Sequence, residues 1–271
     1  MPSLIKQQDF RKVQNLPFCY LCGGEFKAGS NINRDHVPAS ALFLKEDRDV
    51  PLILSTHVAC NAKEHASDQL LGQLIDQIHG RPINPGYRKL DATVVEVNGQ
   101  VVTITKDLNI HQFIRRCVRA FHAALYHEWL PSDTANAFHP PLRGAQLDGD
   151  TGSPTDEFNR LLMTDQSLNQ HALFSRVLKQ NRVAKNTDQV LSRNGKCSYD
   201  CVWSQLDDGQ PICIFGLKIY DWQRFGELAG YPNRGCVGFY GPKAGRPATA
   251  TVSTELEFPF PNEEILDPFG N

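Results

Sequence analysis

The chain lacks a dominant charge, a long apolar run, an export signal and any internal repeat, and each absence closes off a class of protein. No stretch approaches the roughly 18 consecutive apolar residues of a membrane-spanning helix. Lys6, Asp9, Arg11 and Lys12 stand where a signal peptide needs its apolar core, so a cytoplasmic location and no membrane partner are expected. The 28 Lys and Arg nearly balance 30 Asp and Glu, a formal net charge of -2, and no bulk positive potential is available to hold a nucleic acid. What is present is size and an ordinary globular mixture. With 271 residues, 41% hydrophobic and 21% charged, the chain can bury a core without disulfides, which excludes disorder, collagen and coiled coil.

Eight cysteines in a chain without an export signal read as reduced thiols or metal ligands. Cys19-x2-Cys22, followed by Gly23-Gly24, has the form of a zinc knuckle, in which glycines let backbone amides turn toward the thiolates. His57-x2-Cys60 repeats the spacing further along. Together the four form a Cys3His set suited to tetrahedral Zn2+ with no open position, a site that holds a segment folded and does not react. A redox role for Cys19 and Cys22 would call for a surrounding βαβ pattern, and none is visible. Of the five remaining cysteines, Cys197, Cys201, Cys213 and Cys236 are a possible second metal site, but three of these four fall at apolar positions of predicted strands and read as buried thiols.

The pattern along the chain points to an α+β protein. Residues 51–55 predict a short strand, and from Val58 the residues Leu70, Leu71, Leu74, Ile75 and Ile78 recur at helical spacing up to Gly80 and Pro82. After that breaker run, TVVEVNGQVVTIT alternates around Asn98-Gly99, a hairpin signal. Ile110, Phe113, Ile114, Cys117, Val118, Phe121 and Leu125 then form one helical stripe ending near Trp129. Residues 131–155 read as a loop or linker, 156–181 as one or two helices, and 196–221 as a second hairpin turning at Asp208-Gly209, with a further strand near Cys236 to Tyr240. The division expected is a module over 1–80 and an accessory α+β domain over 88–271.

Between the two halves of the Cys3His set lies Asp35-His36-Val37-Pro38, and directly after it comes Asn61, with His65 four residues on. The order Cys-x2-Cys, Asp-His-Val-Pro, then His-x2-Cys-Asn opening a helix resembles the HNH endonucleases, the ββα-metal nucleases, in their zinc-stapled form. The stretch DHVPASALF is similar to a bacterial branch of that superfamily, and the likeness covers roughly the first 80 residues. It implies a ββα module that hydrolyses DNA phosphodiester bonds, leaving a 5′-phosphate and a 3′-hydroxyl. It also implies His36 as general base, with Asp35 and Asn61 holding a catalytic Mg2+ or Mn2+ and His65 as a further ligand. The residue types suit the chemistry, which needs a base to deprotonate water and a cation to offset charge on the phosphate. His57 stands where the family normally has Cys and is read as a zinc ligand. One departure is the absence of Asn from the second strand, which leaves Ser55, Thr56 or a carbonyl to orient the His36 imidazole. The alternative function is a non-catalytic zinc-binding adaptor for DNA or protein that keeps this fold.

Charge is unevenly spread. Arg176, Lys179, Arg182, Lys185, Arg193 and Lys196 face a single acid, Asp188, over 21 residues and form a candidate track for the phosphates of double-stranded DNA. Lys106, Arg115, Arg116 and Arg119 form a second cluster on or beside the polar face of the long helix. Residues 247–271 hold five acids and no base, so the preceding 246 carry 28 basic against 25 acidic residues, a net +3. Chemistry is expected in the first 80 residues and phosphate affinity downstream.

Overall fold

The computed structural model describes residues 2–48, 52–78, 81–82, 86, 89–97, 100–105, 108, 110–139, 187–192, 194–205, 209–219 and 236–252. In chain order the regular elements are β1 (Ser3–Leu4), α1 (Gln7–Val13), β2 (Ile32–His36), β3 (Ile53–His57), α2 (Val58–Ile78), β4 (Ala92–Val97) and β5 (Gln100–Thr105). They continue with α3 (Ile110–Tyr126), β6 (Ala135–His139), β7 (Asp188–Leu191), β8 (Cys197–Gln205), β9 (Pro211–Ile219) and β10 (Cys236–Gly241). The α+β class is thus present, with a Cys/His cluster near the N-terminus.

Three sheets divide the strands. β2 and β3 pair antiparallel, with Asp35 opposite Leu54 and His36 opposite Ile53, and α2 begins at the residue after β3 ends. β4 and β5 form the hairpin expected around Asn98-Gly99, with Val97 opposite Gln100 across a two-residue connection. The third sheet has six strands in the order β1-β7-β8-β9-β10-β6. Its longest pairing, β8 with β9, is the expected second hairpin, running from Cys197 opposite Ile219 to Gln205 opposite Pro211.

α3 lies in the middle of the core. Its stripe of Phe113, Ile114, Cys117, Val118, Phe121 and Leu125 is buried, and Ala120, Ala123 and Ala124 are buried as well, so its second half is covered nearly all round. Phe121 packs on Tyr199 of β8 with ring centroids 4.8 Å apart, and the Tyr126 hydroxyl accepts a 3.0 Å hydrogen bond from the Trp203 indole. The helix stops at His127, whose φ of 58° is left-handed and whose N–H still reaches the Ala123 carbonyl at 2.9 Å. Leu70, Leu71, Leu74 and Ile75 of α2 join the same core as Leu52 and Leu54 of the β3 segment.

Two features depart from the sequence reading. Residues 135–139, placed in a loop over 131–155, form β6, an edge strand paired with β10 from Ala135 opposite Gly241 to His139 opposite Val237. Its partner lies about a hundred residues away, so nothing local marks it. β1 is the second: Ser3 and Leu4 run parallel to Gln189 and Val190 and bring the N-terminus into the six-stranded sheet. The helices expected over 156–181 lie outside the described residues. Among the described residues, no helix is long and apolar enough to cross a membrane.

α2 approaches the short helical turn Ser40–Leu42 at Gly72, where an added Cβ would stand 2.6 Å from the Ala41 carbonyl oxygen. A backbone oxygen cannot swing aside. Gly72→Ala is therefore expected to destabilise the protein by about 1–3 kcal/mol despite its gain in helix propensity. Urea unfolding measures this, and a variant at least as stable as the parent contradicts the close approach.

Candidate metal centre

The knuckle is built by backbone turns at its glycines. The Cys22 and Gly23 amides both point at the Cys19 carbonyl, at 3.3 and 2.7 Å, and the Cys19 amide reaches the Gly24 carbonyl at 2.9 Å. Gly23 takes a φ of 75°, and an added Cβ there would stand 2.5 Å from the Trp129 indole, so only glycine fits on both counts. Gly24 lies under the second half of the site, where an added Cβ would come within 3.2 Å of the His57 ring and 3.4 Å of the Cys22 sulfur.

β3 ends at His57, and the first turn of α2 carries Cys60. The ligand atoms of Cys19, Cys22, His57 and Cys60 all lie within 4.8 Å of one another. Cys22 Sγ is 3.3 Å from His57 Nδ1, the His57 amide points at Cys19 Sγ at 3.5 Å, and Phe26 holds the imidazole edge-on with ring centres 5.1 Å apart. Burial raises the Cys22 thiol, but the Gly24 amide and the side chains of His57, Cys19 and Cys60 outweigh it and bring the pKa down to about 7. Cys60 is pushed up to about 11 by burial and by the sulfurs of Cys22 and Cys19. Three sulfurs at this separation cannot all ionise unless a cation lies between them. The donor set fits such an ion: the group can hold a metal such as zinc. Among the described residues it is the one gathering of three or more His, Cys, Asp or Glu side chains able to do so.

Asp35 and His36 are neighbours on β2 and, by the two-residue period of a strand, point to opposite faces. His36 is exposed. Asp35 is 4% exposed, and both its oxygens are engaged: Oδ2 accepts a 2.5 Å bond from the Tyr20 hydroxyl, and Oδ1 lies 2.6 Å from Nη2 of Arg116. Arg116, on α3, also places Nη1 2.6 Å from both oxygens of Asp68 and donates from Nε to Tyr20 at 3.2 Å. Tyr20, wholly buried between Cys19 and Leu21, has its pKa raised by burial and by Asp35. Burial works against the charge on Arg116, but Tyr20, Asp35 and Asp68 together hold the guanidinium protonated. Arg116 was expected on or beside the polar face of its helix; it is instead 4% exposed and fully ion-paired.

No family model, curated protein or solved structure matches the chain. The site therefore rests on its own geometry. Asn61 is half-buried in the first turn of α2, while His65 is exposed with Nε2 3.2 Å from Gln69 Nε2. Glu64 and Asp68 turn toward α3, where Gln112 donates to both oxygens of Glu64 at 3.0 and 3.1 Å. Ser55 and Thr56, expected to steady the His36 ring, bond elsewhere: Ser55 to the Gln14 carbonyl at 3.3 Å and Thr56 to Asn33 Oδ1 at 2.7 Å. Of the basic run, Arg176, Lys179, Arg182, Lys185 and Arg193 lie outside the described residues, and Lys196 is half-buried. Sequence reasoning missed Tyr20, Asp68 and Arg116 as a unit. The available signal was Arg116 itself, set among the apolar residues Phe113, Cys117 and Ala120.

Two outcomes are expected. Purified protein carries about one zinc per chain by metal analysis, and Cys22→Ser lowers both the metal content and the melting temperature; full stability without metal contradicts the site. The second concerns pH. Burial, working against Arg116, raises the Asp68 carboxyl to about 6, above its ordinary 3.8. Such a group binds its proton more tightly in the fold than in the unfolded chain. Its contribution is full below pH about 4 and is lost as pH rises through about 6, a fall on the order of 1–3 kcal/mol. Asp68→Asn should flatten that part of the stability profile, and an unchanged slope contradicts the assignment.

Proposed function

We propose that the chain is a zinc-stapled endonuclease of the HNH type that hydrolyses DNA phosphodiester bonds. The observation that carries the reading is an exposed His36 on β2 of a strand–strand–helix unit whose β3–α2 junction, at His57 and Cys60, gathers with Cys19 and Cys22 of the preceding knuckle. In this reading Zn2+ is structural, and its four protein ligands leave no position for water or substrate. His36, open to solvent, accepts a proton from the water that attacks phosphorus. The P–O3′ bond breaks and the departing O3′ takes a proton from solvent, leaving a 5′-phosphate and a 3′-hydroxyl.

The resemblance also implies a divalent Mg2+ or Mn2+ on Asp35, Asn61 and His65. That donor set does not fit the ion in the arrangement described, because Tyr20 and Arg116 already take both oxygens of Asp35. The same pair favours a second reading, a zinc-binding adaptor that keeps the unit without cutting, since a carboxylate buried against an internal guanidinium and a tyrosine hydroxyl is turned away from a metal in solvent.

A plasmid-nicking assay with Mg2+ or Mn2+ separates the two. Cutting is expected from the wild type, with a loss of about 10²-fold or more in His36→Ala. No cutting under either metal, or cutting unaffected by His36→Ala, sinks the nuclease reading.

A further inference from the structure

The face of β2 that carries His36 also carries Arg34. Exposure alternates along the strand, with Ile32, Arg34 and His36 open to solvent and Asp35 buried between the last two, so the three lie in one outward row. Two residues of strand separate Arg34 from His36 by about 7 Å, close enough for one group to touch both side chains. Across the pair, the neighbours on the same face are Ile53 beside His36, Ser55 beside Arg34 and His57 beside Ile32, and none of the six is an acid. Ser55 is already turned to the Gln14 carbonyl. The row thus sets a cation next to an imidazole on a face with no negative side chain of its own.

Arg34 differs from the arginines that hold the fold together. Arg48, Arg119 and Arg246 donate to backbone carbonyls, and Arg81 and Arg116 are ion-paired. Among the described residues Arg34 makes no hydrogen bond or ion pair, and neither does His36. A planar guanidinium with its donors uncommitted is the side chain best matched to two oxygens of a phosphate.

Phosphodiester hydrolysis needs positive charge where negative charge builds on the phosphate, as well as a base for the water. Asp35 cannot bring that charge as a divalent ion, because it is turned inward and engaged by Tyr20 and Arg116. We propose that Arg34 supplies it: the guanidinium grips two non-bridging oxygens of the scissile phosphate, which sets the phosphorus one water away from His36. The step balances without a catalytic metal ion. The water oxygen bonds to phosphorus as His36 takes its proton, the P–O3′ bond breaks, O3′ picks up a proton from solvent, and Arg34 stays protonated throughout. The proposal rests on the nuclease reading and adds to it a residue that touches the substrate.

The test uses the full-length, zinc-loaded protein in buffer cleared of other divalent ions, with zinc measured on the same sample before and after. Plasmid nicking is expected to proceed there, and adding Mg2+ or Mn2+ should leave its rate unchanged. Arg34→Gln should cut about 10²-fold more slowly or worse, with Arg34→Lys in between, while melting temperature and zinc content stay at wild-type values. Binding is read apart from cutting on His36→Ala protein with a short duplex. There Arg34→Gln should weaken affinity and lower the slope of log affinity against log salt by about one. A rate that depends on added Mg2+ or Mn2+, an Arg34→Gln protein that cuts as fast as the wild type, or a salt slope unmoved by that substitution overturns the proposal. The nuclease reading survives such a failure as long as His36→Ala still abolishes cutting. No cutting by the wild type under any ion removes that reading itself, and the proposal with it.

Discussion

Burying a guanidinium costs several kcal/mol in lost hydration, and Arg116 offsets that cost by collecting partners from three separate stretches of chain. Tyr20 comes from the knuckle, Asp35 from β2 and Asp68 from α2, each within 3.2 Å of a guanidinium nitrogen. The arrangement is closed: Tyr20 accepts from Arg116 and donates to Asp35, which itself accepts from Arg116. One side chain of α3 thereby fixes how the knuckle, the strand pair and the second helix sit against the main core. Two carboxylates share one guanidinium, and burial, with smaller pushes from the charges of Asp35 and Glu64, lifts the Asp68 pKa against the pull of Arg116. The same bonds leave Asp35 without a free oxygen and turn it into the partner of an internal cation.

The knuckle is held from both sides. On one, its sulfurs meet His57 and Cys60; on the other, Trp129 lies over Gly23, and Arg119 takes the Leu21 carbonyl. Metal binding at such a place is not a local event. Because the ligands come from a turn, a strand end and a helix start, the free energy of binding passes into the packing of β3 and α2. Through Trp129 and Arg119 it passes into α3 as well.

How much of this could be read from the sequence follows the range of the forces involved. The Cys/His spacing, the helix after His57, the Asn98-Gly99 hairpin and the apolar stripe of α3 all rest on neighbours within about a dozen residues, and all were legible. The exchange among Tyr20, Asp35, Asp68 and Arg116 spans up to 96 residues, and no local pattern records it. β6 was hidden for the same reason, since an edge strand owes its form to a partner far along the chain. Asp35 is the instructive case. Strand alternation alone sets it opposite His36, so the pair could never have faced one side of a regular strand together.

β1 contributes only two residues, yet its pairing has a temporal meaning. Ser3 lies against Gln189, so the chain's first residues must wait for some 190 others before their place in the sheet exists. Contacts so distant in sequence close late, because the intervening loop must be ordered first. During synthesis the knuckle, β2, β3 and α2 emerge well ahead of that moment, and a metal ion can gather them while the N-terminal strand is still unpaired. One edge of the six-stranded sheet is thus closed by a strand that precedes the knuckle in the chain but pairs with residues far beyond it.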